Sequence, residues 1–142
     1  MPGPSLDVLR GVPLFAQAED GFLQRLSDEF TTRTYAAGET ITEEGEQGRT
    51  FLVIDTGGAT VTVHGEEVGK LGPGDALGEM ALIDKSARSA TVTADSEVHA
   101  FQLPVWSFRP LIESHPEVVW AFLEAMARRV REAEARGTSG ES

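Results

Sequence analysis

A chain of 142 residues with 23 acidic against 12 basic side chains carries a formal charge of −11, which repels the phosphate backbone of nucleic acid unless the few cations cluster. It has no cysteine, which excludes disulfides and thiolate metal sites, and no apolar run approaches the ~20 residues of a membrane span. The length suits one domain over residues 1–142, and the opening MPGPSLDVLRG lacks the basic and apolar regions of a signal peptide, so a cytoplasmic location is expected.

Residues 5–30 read as helical. Ser5 and Asp7 cap a short helix, Gly11 and Pro13 break it, and Glu19 to Phe30 resumes it with Phe22, Leu23, Leu26 and Phe30 at helical spacing. From Thr31 the period changes. TTRTY, TIT, TFLVI, ATVTV, EEVGKL, SATVTA and EVHAFQL are short runs rich in β-formers, separated by AGE, EEGEQG, DTGG, HGEE and GPGD. Such close spacing predicts a small all-β sandwich or barrel. In ATVTV, Ala59, Val61 and Val63 fall on one face and Thr60 and Thr62 on the other. With no asparagine in the chain, tight turns rest on Gly, Asp and Glu-Gly pairs. Helix returns after Pro104 with VWSFRPLIES. Ser114 then precedes HPEVVWAFLEAMARRVREAEAR, with Pro116 near the first turn and Glu117 in it. Val119, Leu123, Met126, Val130 and Ala133 form an apolar seam on that helix, read as core or dimer contact, and Trp120 suits either use. The last residues, GTSGES at 137–142, are expected as a flexible tail.

The most specific pattern is GDALGEMAL (Gly74 to Leu82) followed by RSATV (Arg88 to Val92). With the glycine-punctuated strands and two closing helices, it resembles a cyclic nucleotide-binding domain. These are the sensor domains of protein kinase A regulatory subunits, cyclic-nucleotide-gated channels and catabolite activator proteins. PLF at 13–15, AGE at 37–39, EEGEQG at 43–48 and FLVIDTG at 51–57 fit the same pattern, so the resemblance covers a core from Leu9 to Arg136. It implies a mainly β fold with flanking helices: an antiparallel β-roll or jelly-roll barrel, N-terminal helices, an embedded phosphate-binding-cassette helix and two C-terminal helices.

The resemblance also assigns roles. Glu79 would accept from the ribose 2′-hydroxyl and Arg88 would pair with the cyclic phosphate. Gly78, Ala81 and Leu82 would approach with backbone groups, and Ser89 would touch phosphate or base; Met80 and Ala90 complete the candidate set. In the family the last helix closes over the base, which makes Arg129, Val130, Arg131 and Ala133 candidate lid residues. Three features depart from the family pattern: Leu77 replaces a common aromatic, Ser86-Ala87 lack a proline, and Ser89 does not decide the base. The ligand expected is cAMP or cGMP, with cAMP ahead.

These residue types suit that chemistry. A glycine at 78 admits close backbone approach. A helix opening there offers N–H groups and its positive dipole end to an anion. Arg88 supplies a planar fork for two phosphate oxygens. An ionised Glu79 only accepts, which suits a hydroxyl and not a phosphate. The plainer alternative makes Arg88 a surface arginine and Glu79 a carboxylate favoured by a helix dipole. His64, His99 and His115 are scattered without metal-ligand spacing and no nucleophile–base pair stands out, so no enzyme and no cofactor or metal are expected. A sensor module is expected, with a nucleotide-free interaction module as the alternative. Its partners would be a cyclic nucleotide and, through the last helix, a second copy or an effector, but no nucleic acid bound by this chain alone and no membrane.

Overall fold

The structure is a computed structural model that describes residues 3–78, Leu82 and residues 88–141. Two helices come first, α1 (Leu6–Arg10) and α2 (Asp20–Asp28), with a 3₁₀ turn, Pro13–Phe15, between them. The Ser5 hydroxyl caps α1 by accepting from the Val8 N–H at 3.2 Å, and Gly11 ends it. Arg10 then ties α1 to the start of α2 through the Ala18 carbonyl (2.7 Å) and the Asp20 carboxylate.

Eight strands follow: β1 (Thr31–Tyr35), β2 (Thr40–Thr42), β3 (Thr50–Thr56), β4 (Ala59–Val63), β5 (Glu66–Leu71), β6 (Ala76–Leu77), β7 (Thr91–Ala94) and β8 (Val98–Pro104). They form two antiparallel four-stranded sheets, ordered β1-β8-β3-β6 and β2-β7-β4-β5. Helices α3 (Val105–Ser114) and α4 (Val118–Glu141) close the chain. The expected mainly β sandwich with flanking helices is what the chain adopts. Of the expected cassette helix only Leu82 is described, and it is helical. The short strand β6 is absent from the sequence pattern: its two residues pair with Val53 and Leu52, and two residues carry no readable alternation.

Strand β3, inside the first sheet, is buried on both faces. Phe51, Val53 and Leu103 pack against the helices in one cluster, while Leu52, Ile54, Val98 and Ala100 pack against the second sheet in another. That is why β3 reads as the unbroken apolar run FLVI and not as an alternation. The helical cluster is aromatic. Phe15, fully buried, meets Phe51 and Phe122 at 5.9 Å and Phe108 at 6.3 Å between ring centroids. Phe22 adds to Phe122, Phe30 to Phe51, and Phe108 stacks on Phe122.

The start of the last helix differs from expectation. Helix α4 starts at Val118, after Pro116 and Glu117, because His115 leaves α3 with φ −135° and ψ 61° and the chain must turn before helical bonds resume. At its other end α4 runs to Glu141. The apolar seam is also turned. Val118, Phe122 and Ala125 face the core, whereas Val119, Leu123 and Val130 are exposed. Phe122 sets this rotation through its contacts with Phe15, Phe22 and Phe108.

Truncating Phe15 to alanine should lower the unfolding free energy by ~3–5 kcal/mol, since it empties the centre of this cluster. Equilibrium unfolding in urea measures it, and a loss below ~1 kcal/mol would show that Phe15 is not what joins the helices to β3.

Candidate functional site

Arg88 closely precedes β7, and its backbone is held by the loop between β2 and β3. Its N–H donates to the Glu46 carbonyl at 2.7 Å, and its own carbonyl accepts from the Gly45 N–H at 2.9 Å. Its side chain turns inward. Nη2 donates to the carbonyl of Thr50, the first residue of β3, at 2.5 Å. Gly78 lies against that guanidinium with φ +84°. A Cβ at 78 would overlap the guanidinium and come within 2.8 Å of the Thr50 carbonyl. Glycine is therefore required here twice, for its dihedral and for its lack of volume.

The Arg88 guanidinium is half-buried. Burial pushes its pKa below the usual arginine value, and the nearby Tyr35 phenol works in the opposite direction. A cation partly stripped of water and resting on a neutral carbonyl gains from an anion placed beside it. On the side facing β1 and β2, Arg88 borders a polar cavity of about 400 Å³ that Arg33, Tyr35, Thr42, Glu43 and Thr50 also line. The Arg33 guanidinium lies 4.6 Å from the centroid of the Tyr35 ring and 3.8 Å from the Glu39 carboxylate. The Tyr35 phenol is pushed above the usual tyrosine value, first by burial, with Arg33 pulling it down, Glu39 raising it and Arg88 pulling it down.

The predicted site residues are placed unevenly. Gly78 and Arg88 are in contact range of each other and of Thr50. Ser89 is exposed and Ala90 half-buried, and the Ala90 carbonyl accepts from the Thr42 hydroxyl at 3.5 Å. Leu82 is buried in the helical cluster and borders an apolar cavity of about 350 Å³ with Phe108, Ile112, Phe122 and Met126. Glu79, Met80 and Ala81 lie outside the described residues. Arg129, Val130, Arg131 and Ala133 are exposed on α4. Sequence reasoning missed Thr50, Tyr35 and Glu46. Thr50 and Glu46 act through backbone carbonyls, which no side-chain pattern reports. Tyr35 did leave a signal, as the one tyrosine in the chain at the end of a strand. Among the described residues no group of three or more His, Asp or Glu could hold a metal, and no helix is long and apolar enough to cross a membrane.

Gly78→Ala should cost ~1–3 kcal/mol more stability than Gly38→Ala, since both have a positive φ but only residue 78 is enclosed. Paired urea melts measure the difference, and equal losses would remove the steric role of Gly78. The lone tyrosine permits a second check by absorbance at 295 nm. Tyr35 should ionise above about pH 10 in the folded chain and return to about 10 in urea. Its neutral form is favoured by folding, so this contribution to stability is present below pH 10 and is lost as pH rises through the folded value. A folded-state midpoint at or below 10 would contradict the burial described.

Comparison with known proteins places this geometry. The family model described as "Cyclic nucleotide-binding domain" matches residues 32–115. The N-terminal domain of a transcriptional regulator from Streptomyces coelicolor A3(2) superposes with a TM-score of 0.81 and 33% identity, over 89% of this chain and 94% of that one. The regulatory subunit of cAMP-dependent protein kinase from Mycosarcoma maydis is 41% identical over 90 residues, which are 61% of this chain and 17% of that protein. An uncharacterized NTE family protein of Mycobacterium tuberculosis is 29% identical over 132 residues, 92% of this chain and 23% of the relative. The chain thus spans less than a quarter of the length of these two curated relatives. On the strength of the family match and the agreement in fold, the chain belongs to the cyclic nucleotide-binding domain family.

Proposed function

We propose that the chain binds a cyclic nucleotide between Gly78 and Ala90 and works as a regulatory module, with cAMP the preferred ligand over cGMP. The observation that carries this reading is the half-buried Arg88 guanidinium, set against Gly78 and resting on the Thr50 carbonyl. In this reading the cyclic phosphate takes up the Arg88 fork, and Gly78 leaves room for that exchange. Glu79 accepts from the ribose 2′-hydroxyl, the backbone at Ala81 and Leu82 meets the phosphate, and Ser89 touches phosphate or base. Met80 and Ala90 flank the ligand. A ligand of this kind offers one charge to the inward Arg88 guanidinium, which suits an acidic chain that repels larger polyanions.

The output runs through the helices. Leu82 belongs both to the candidate cassette and to the cluster that holds Phe108 and Phe122, so movement of the cassette is felt by α3 and α4. We place Arg129, Val130, Arg131 and Ala133 on the part of α4 that closes over the base, and the ligand shifts a two-state equilibrium by binding the closed state better. The signal passes to a second copy or to an effector. This is binding and not catalysis, in a cytoplasmic setting. A second reading, a nucleotide-free interaction module, draws support from the exposed Trp106, Trp120, Leu123 and Val130 on the same two helices.

Calorimetric titration with cAMP and with cGMP separates the readings. Arg88→Ala should weaken cAMP binding by ~2–4 kcal/mol, roughly 30- to 1,000-fold, because it removes the counter-charge of a partly buried phosphate. Saturable binding with unchanged affinity in that variant would refute the assigned site. No heat with either nucleotide would favour the interaction module.

A further inference from the structure

We infer that Glu44 and His64 are positioning residues for Arg88, acting through the loop that holds its backbone. The inference rests on the reading of Arg88 as the phosphate anchor. It starts from the turn between β4 and β5, whose two residues are His64 and Gly65. Their φ values are 52° and 83°, and His64 alone among the described non-glycine residues has a positive φ. A two-residue hairpin turn of this kind favours Gly, Asn or Asp at that place. Histidine there carries a conformational cost, and its contacts offset it.

Both contacts go to one carboxylate. The His64 N–H donates to Glu44 Oε1 at 3.0 Å, and the ring Nδ1 lies 3.3 Å from Glu44 Oε2. The Glu44 N–H in turn donates to the Thr91 hydroxyl at 3.0 Å. The next residue, Gly45, donates to the Arg88 carbonyl, and Glu46 accepts from the Arg88 N–H. The three residues 44–46 thus join the β4–β5 turn to both backbone groups of Arg88. The segment holds Glu43, Glu44 and Glu46 close together in a chain of charge −11, so mutual repulsion works to open it. The donors on His64 counter that repulsion at Glu44, the residue adjoining the Arg88 contacts.

Amide hydrogen exchange of the ligand-free chain tests the tie, and cyclic AMP titration tests its consequence. Glu44→Ala should speed exchange at the Gly45 and Arg88 amides about tenfold and weaken cyclic AMP binding by a similar factor, the scale of one hydrogen bond to a charged group. Exchange at Val53 and Ala100, in the paired strands β3 and β8, should not move. Glu44→Gln, which still accepts from the His64 N–H, should restore most of both. His64→Gly removes the ring and relieves the turn, so it should speed exchange at Gly45 and Arg88 without lowering overall stability. Unchanged exchange at Arg88 in both Glu44→Ala and His64→Gly overturns the inference. So does faster exchange with unaltered cyclic AMP affinity, where Arg88→Ala has weakened binding as expected. If Arg88→Ala leaves binding intact, the assignment of the anchor fails, and the exchange rates still decide whether residues 44–46 are held from His64.

Discussion

Strand β3 is buried on both faces, and the molecule is arranged around that constraint. Phe51 and Val53 need a helical cover, while Leu52 and Ile54 need a second sheet. The aromatic cluster centred on Phe15 supplies the first and draws α3 and α4 onto the sheet through Phe108 and Phe122. The second sheet supplies the other with Ala59, Val92 and Ala94. A strand fixed on two sides cannot shift, and its first residue, Thr50, presents a carbonyl to Arg88. The candidate site therefore borrows its rigidity from the best-packed strand of the fold.

Much of this was legible in the sequence. The period of two in ATVTV and the glycine turns point to the sandwich, whereas FLVI was read only as one β-forming run among several, and its burial on both faces came with the structure. The seam on α4 was legible as apolar but not as to which way it faces. Val118, Phe122 and Ala125 compete with Val119, Leu123 and Val130 for the core, and only the ring contacts of Phe122 decide between them. Glu79 and Arg88 stood out as a charged pair, and Gly78 separately as a place of close backbone approach, yet the partners that hold Arg88 are the carbonyls of Thr50 and Glu46, groups every residue owns. Tertiary backbone contacts of that kind leave no mark on composition or spacing.

The electrostatics follow from the same geometry. A chain with 23 carboxylates repels anions at long range, so an anion site must act at short range and partly out of water. Arg88 meets both conditions, being half-buried and fixed at backbone and side chain. Its neighbours are arranged to hold its guanidinium inward, and Arg33 on Tyr35 lines the same polar cavity together with Arg49. The loop 43–49 joins β2 of the second sheet to β3 of the first and holds the backbone of Arg88, which makes it the natural route by which strand packing reaches the site.

The central claim, that Arg88 leaves the Thr50 carbonyl for a cyclic phosphate, is tested most directly by following the Arg88 side-chain Nε–Hε signal by NMR during titration with cyclic AMP, with adenosine as the phosphate-free control. The account predicts a saturable shift of that signal, together with the amides of Gly78 and Ser89, for cyclic AMP and none for adenosine. A saturable shift elsewhere in the chain with Arg88 unmoved, or the same response to adenosine, would contradict it.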